Sequence, residues 1–201
     1  MLFRSKLELK MGNKPNKKWG SKPEDAPPSM SSILTQGEIN EIMAYDKFDE
    51  DMEAWNKAMR AYYYQKKEHF ELLPDTENEI IFLGNSITDG CEWAELFQNP
   101  NIKNRGIGGD DTDGVLERLD EIISSKPSKI FIMIGTNDMA YGKTVDYVVS
   151  NYTKIIDSIQ IICPDTKIYI QSVLPVDDAI HYTRSTSDIM QINTHLEKLS
   201  A

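Results

Sequence analysis

The stretch Glu79–Gly90, EIIFLGNSITDG, decides the fold. Its first half is an apolar run of strand length, and its second half is polar and turn-forming. An uninterrupted apolar run of this kind fits a strand buried on both faces, as in a parallel sheet covered by helices. The residues that follow keep alternating. Ile102–Ile107 reads as a weaker strand. Asp113–Ile123 reads as a helix with Val115, Leu116, Leu119, Ile122 and Ile123 on one face. Lys129–Gly135 (KIFIMIG) is a strong buried strand, and Thr144–Ile162 is a helix whose apolar face is Val145, Val148, Val149, Tyr152, Ile155, Ile156 and Ile159. Lys167–Val173 is another strand, and Ser187–Leu199 a final helix with Ile189, Ile192, Leu196 and Leu199 inward. Strands and helices alternating at these lengths imply right-handed crossovers and an α/β domain built on a parallel sheet.

Working outward, Phe48–Leu73 reads as a long amphipathic helix ended by Pro74, with Phe48, Met52, Trp55, Met59, Tyr62, Phe70 and Leu73 as a core-facing stripe. Residues 1–45 read as a disordered or irregular extension and 46–201 as the folded domain, because Gly12–Ser32 is rich in Lys, Pro, Ser, Asn and Gly. The chain of 201 residues carries a formal net charge of -10, which argues against general nucleic-acid binding. Residues 1–23 sum to +6, a charge expected to be a solvated tail. No apolar run is long enough to span a bilayer, and the N-terminus lacks a signal-peptide pattern, so a cytoplasmic location is the default expectation. Cys91 and Cys163 are too few for a disulfide framework.

Three polar clusters each follow a strand, and a parallel sheet brings all three to the carboxyl edge where ligands bind. In Gly84-Asn85-Ser86-Ile87-Thr88-Asp89-Gly90, a Ser stands where a helix begins. It is either a plain N-cap or a nucleophile whose own N–H faces a developing oxyanion. In Asn104-Arg105-Gly106-Ile107-Gly108-Gly109-Asp110, the glycines let backbone approach a ligand, or simply make a turn capped by Asp110 or Asp111. Asp110, Asp111 and Asp113 also suggest a metal, but no His lies nearby and acids are expected in a first helical turn. In Gly135-Thr136-Asn137-Asp138, the Asn137 amide is either an oxyanion donor or an Asx-turn.

With these residues in this order, the chain resembles the SGNH (GDSL-like) hydrolases from about Glu79 to Ala201. Gly84-Asn85-Ser86-Ile87-Thr88 is similar to their first block, the Asn104–Asp110 segment to their second, and Gly135-Thr136-Asn137-Asp138 to their third. Gln171-Ser172-Val173-Leu174-Pro175-Val176 is similar to the branch of platelet-activating-factor acetylhydrolase-like and sialate O-acetylesterase-like proteins. The resemblance implies a three-layer α/β/α sandwich with a flavodoxin-like sheet and a serine esterase without metal or organic cofactor. It assigns Ser86 as nucleophile, and the N–H groups of Ser86 and Gly109 and the side chain of Asn137 as the oxyanion hole.

There are two departures from the family pattern. Asn85 stands where the family has Asp, which keeps the shape and loses a charge. The family's base is a His three residues after an Asp, beyond a fifth strand. Here the histidines are His69, His181 and His195. Asp178-Ala179-Ile180-His181 has the D-x-x-H spacing but precedes the last helix instead of following it. The expectation is therefore a chain cut short of the last strand and the catalytic Asp/His loop, nearly inactive and poorly soluble alone. The expected substrate is a small-molecule or carbohydrate ester, favouring acetyl groups. The alternatives are a lysophospholipase or thioesterase of the same fold, and a non-catalytic carbohydrate- or anion-binding module.

Overall fold

The computed structural model describes residues 35–181 and 183–200. Helix α1 (Gln36–Leu72) leads to β1 (Ile80–Gly84), then α2 (Ser86–Asp89), α3 (Trp93–Leu96) and β2 (Ile102–Gly106). Next come α4 (Thr112–Glu117), α5 (Leu119–Ser124), β3 (Lys129–Met133) and α6 (Thr136–Ala140). The chain continues through α7 (Val145–Ile162) and β4 (Lys167–Ile170) to α8 (Thr186–Leu199). The strands form one parallel sheet in the order β2-β1-β3-β4. This is the α/β architecture that the alternation implied.

Side chains of a strand alternate between faces, and the two faces of this sheet differ in chemistry. One carries Ile81, Leu83, Ile130 and Ile132, all at most 1% exposed, with Ile168 and Ile170 packed beside them. It meets the apolar stripes of α4, α5, α7 and α8: Val115, Leu119, Ile122, Val148, Tyr152, Ile155, Ile159, Ile189, Ile192 and Leu196. On the other face Phe82, Phe131 and Tyr169 lie in register on β1, β3 and β4. Their rings stack at centroid distances of 4.9 and 4.6 Å, and Trp93 of α3 stacks on Phe82 at 4.4 Å.

Several boundaries differ from expectation. The α1 helix begins at Gln36, so residues 36–45 are helical where an irregular extension was expected; residues 1–34 lie outside the described residues. A compact unit begins at Ala58, and the described residues before it, 35–57, belong to a separate one. The α1 stripe is not uniformly core-facing. Phe70 is buried, Met59 and Tyr62 are half-buried, and Trp55 and Leu73 are exposed. The helix expected over Asp113–Ile123 is two helices separated at Arg118, whose φ of -114° and ψ of 16° leave helical geometry. The strand expected to reach Val173 stops at Ile170. The backbone of Val173 is taken by the Asn193 side chain instead, which accepts from its N–H at 2.8 Å and donates to its carbonyl at 2.9 Å.

One buried hydroxyl closes the end of the central strand. Tyr152 Oη accepts from the Ile134 N–H at 2.9 Å and donates to the Ile134 carbonyl at 3.0 Å, with the ring fully buried. Replacing Tyr152 by Phe keeps the packing and leaves two buried backbone groups unpaired, each costing about 1–3 kcal/mol. Urea unfolding of Tyr152→Phe is expected to show a loss of at least about 2 kcal/mol, and an unchanged midpoint would refute this account of the strand end.

Candidate active site

The first functional segment is a strand-to-helix turn. Asn85, not Ser86, is the N-cap of α2: its Oδ1 accepts from the Ile87 N–H at 3.1 Å, and Asn85 is 2% exposed. Ser86 is therefore the first helical residue. It is exposed, and its hydroxyl makes no hydrogen bond with any described residue. The capping role that Ser86 would fill in a plain helix start is already occupied by its neighbour.

Close packing holds this turn against the end of β2. A Cβ on Gly106 would run into the backbone nitrogen of Asp89, so α2 sits directly on the strand. The Asn104 side chain ties the two together. Its Nδ2 reaches the carbonyls of Thr88 at 2.9 Å, Asp89 at 3.1 Å and Cys91 at 2.9 Å, while its Oδ1 accepts from the Gly106 N–H at 2.8 Å. Asp89 is held by Lys66 at 2.8 Å and Tyr62 at 2.6 Å, and its Oδ2 also accepts from the Gly108 N–H at 3.1 Å. The hydrogen bond from Tyr62 to Asp89, with the burial and the charge of Asp89, pushes the Tyr62 phenol up to about 12. These contacts make Asp89 the link between the Ser86 turn and the glycine loop.

In that loop Gly109 has φ +80°, a left-handed conformation that favours glycine. Its N–H has no acceptor among the described residues, and its carbonyl accepts from the Tyr141 hydroxyl at 3.1 Å. Asp110 turns inward, not into a helix cap. Arg118 Nε and Nη2 donate to its Oδ2 at 3.0 and 2.8 Å, and both side chains are 1% exposed. The same Nη2 lies 2.8 Å from the Arg105 carbonyl and 3.4 Å from that of Gly84. Burial pushes the Asp110 carboxyl up to about 6, against the pull of Arg118.

Asp111 is the cap of α4, accepting from the Gly114 N–H at 2.9 Å. Asp111 and Asp113 both bind Lys143, at 2.8 and 2.5 Å, so two of the three acids that suggested a metal hold an ammonium, and the third, Asp110, holds Arg118. Their bonds raise the Lys143 pKa, outweighing the opposing effect of burial.

The third segment meets the second directly. Asn137 lies within α6 and its Nδ2 donates to the Asp110 carbonyl at 2.8 Å. Beside it, Asp138 is fully buried and accepts from the Thr112 N–H and hydroxyl, at 3.0 and 2.5 Å. Burial pushes the Asp138 carboxyl up to about 6 despite these donors. Hydrogen bonds thus run from the Ser86 turn through the Gly109 loop to Asn137.

The remaining candidates stand apart. The Asp178 carboxylate accepts from the Thr186 N–H at 2.7 Å, at the start of α8, and makes no hydrogen bond to His181, which is exposed. His69 is exposed on α1 and His195 is half-buried within α8. Arg184 escaped the sequence reading, because it belongs to no motif. Its Nη2 donates to Asn137 Oδ1 at 3.0 Å and its Nε to the Thr136 carbonyl at 3.1 Å.

Comparison with known proteins bears on the family and the fold. The GDSL-like Lipase/Acylhydrolase family matches residues 82–201. Platelet-activating factor acetylhydrolase IB subunit alpha1 of Bos taurus is 33% identical over 107 residues, which are 50% of this chain and 45% of that protein. Subunit alpha2 of Gallus gallus is 34% identical over 107 residues, 50% of this chain and 46% of its own. The chain therefore spans about half the length of the curated relatives it matches. A solved structure from Streptococcus pneumonia, described as a platelet activating factor, superposes with a TM-score of 0.65 at 31% identity, covering 77% of this chain and 75% of that one. A GDSL-like lipase from Bacteroides thetaiotaomicron VPI-5482 gives 0.59 at 24% identity, covering 70% and 73%, which bears on the fold alone.

The position of Asp138 makes stability depend on pH. Its folded carboxyl lies near 6 against an ordinary value of 3.8. A raised folded value stabilises fully below about 3.8, and the contribution is lost as pH rises through about 6. Asp138→Asn does not titrate. The stability of the parent relative to this variant is expected to fall by on the order of 2 kcal/mol between pH 4 and pH 7. Urea unfolding across that range checks it, and a difference that stays flat contradicts the assignment.

Proposed function

This chain belongs to the GDSL-like lipase/acylhydrolase family, and we propose that it carries the nucleophile and oxyanion donors of a serine-dependent carboxylic-ester hydrolase. The observation that carries this reading is the division of labour at the start of α2. Asn85 supplies the cap, and the exposed Ser86 hydroxyl is left unengaged. In the proposed reaction Ser86 Oγ attacks the ester carbonyl and forms an acyl-enzyme, the alcohol leaves, and water then releases the acid. The N–H groups of Ser86 and Gly109 and the second Nδ2 proton of Asn137 stabilise the oxyanion. The unpaired Gly109 N–H and the single acceptor of Asn137 Nδ2 leave donors available for this role.

The relatives' names point to acetyl esters, and a carbohydrate O-acetyl or other small O-acyl ester is the proposed substrate class. A lysophospholipase or thioesterase preference would appear as faster turnover of long acyl chains. One observation favours a non-catalytic binding module. The members of the chain's D-x-x-H pair make no hydrogen bond to each other, and Asp178 accepts from the Thr186 N–H instead.

Hydrolysis of p-nitrophenyl acetate, butyrate and octanoate by the parent and by Ser86→Ala separates these readings. A slow turnover in the parent that is lost in Ser86→Ala, with acetate the preferred ester, is the expected result. Equal rates in parent and variant exclude Ser86 as nucleophile. A parent that leaves all three esters intact and binds a sugar or phosphate in calorimetry establishes the binding module.

A further inference from the structure

The two ends of the Asn137 carboxamide have partners of opposite kind. Nδ2 donates to the Asp110 carbonyl at 2.8 Å, and Oδ1 accepts from Arg184 Nη2 at 3.0 Å. A guanidinium has only donors and a carbonyl oxygen only accepts, so one orientation of the amide satisfies both contacts. Turned over, the amide would set its N–H groups against a cation and its oxygen against a carbonyl. The second Nδ2 proton has no acceptor among the described residues.

Arg184 is itself held in place. Its Nε–H donates to the Thr136 carbonyl at 3.1 Å, so the guanidinium grips two consecutive residues of α6. Its backbone N–H donates to the His181 carbonyl at 3.0 Å. The next residue, Ser185, is the N-cap of α8, with its hydroxyl accepting from the Asp188 N–H at 3.0 Å. The start of α8 thus anchors a cation that reaches back 47 positions in sequence to the third segment of the site. The Arg184 guanidinium donating to Oδ1 also draws electron density out of the amide and makes the remaining N–H a better donor.

We propose that Arg184 is a positioning residue for the ester hydrolysis put forward above. It fixes the Asn137 carboxamide with its free N–H available to the oxyanion and strengthens that donor, without touching the substrate. The inference rests on that functional reading for its catalytic consequence, but the orientation of Asn137 can be measured independently.

The test uses the full chain with Arg184→Ala, Arg184→Gln and Arg184→Lys, and two readouts. One is hydrogen exchange of the Asn137 side-chain amide by nitrogen-15 NMR, the resonances being assigned through their loss in Asn137→Ala. The other is the kinetics of p-nitrophenyl acetate hydrolysis. Removing one oxyanion donor outright costs about 100- to 1000-fold, so a loosened donor is expected to lower kcat about 10-fold in Arg184→Ala with KM within about twofold. Exchange of the Asn137 protons rises in the same variant, and Arg184→Lys recovers part of both effects. Unchanged exchange together with an unchanged kcat overturns the proposal. If the parent hydrolyses no ester, the functional reading fails and exchange alone decides: faster exchange supports the positioning role, and unchanged exchange overturns it. Should Arg184→Ala not fold, the Gln and Lys variants are judged by the same two readouts.

Discussion

A buried guanidinium holds this site together. Arg118 is 1% exposed and sits where α4 gives way to α5, with its donors on Asp110, on the carbonyl of Gly84 that ends β1 and on that of Arg105 near the end of β2. A charge so far from water persists only when paired and hydrogen-bonded. The pairing here has a geometric consequence. Gly84 immediately precedes the Asn85–Ser86 turn, and Asp110 immediately follows Gly109, so one side chain fixes the spacing between them. The break between α4 and α5 at Arg118 is the local cost of placing that side chain inward.

Around this centre the polar residues take separate roles. Asn85 caps, Ser86 is exposed, Asn104 and Asp89 bind α2 to β2 and the glycine loop, and Asn137 joins that loop to α6. Lys66 and Tyr62 of α1 reach Asp89, which brings a helix outside the sheet's alternation into contact with the Ser86 turn. Among the described residues Arg118 Nη1 is the one buried side-chain polar atom of this network without a partner, and the pairing of the others makes the network rigid. Rigidity of this kind is what oxyanion stabilisation requires, since donors that must reorganise during reaction give little advantage.

Much of this was legible in the sequence, for reasons that can be named. The apolar runs at Ile80–Gly84 and Lys129–Met133 read as strands because both faces are apolar, one buried in the core and the other carrying the stacked Phe82 and Phe131 rings, although Phe131 is only half-buried. The three clusters lie at strand ends because their glycines and amides suit turns. Less legible were features set by tertiary contacts. The stripe ending at Leu73 looked continuous, yet Leu73, one residue past α1, is exposed while Phe70 is buried, because periodicity says which residues share a face and not how far a partner extends along it. The split at Arg118 and the early end of β4 follow from side chains that bond to backbone far away. Arg184 carried no local signal at all, since an arginine in a polar connection looks the same whether it meets solvent or an amide 47 positions away.

The Arg118–Asp110 pair holds the Ser86 turn and the Gly109 loop in one frame. Urea unfolding of Arg118→Met, at pH 7 and pH 5, tests it most directly. Removing one partner of a buried pair leaves the other unpaired, so a loss of about 3–5 kcal/mol is expected at pH 7. The loss should shrink at pH 5, because Asp110 without Arg118 takes up a proton more readily than it does at about 6 in the parent. A loss below about 1 kcal/mol, the same at both pH values, would contradict the account.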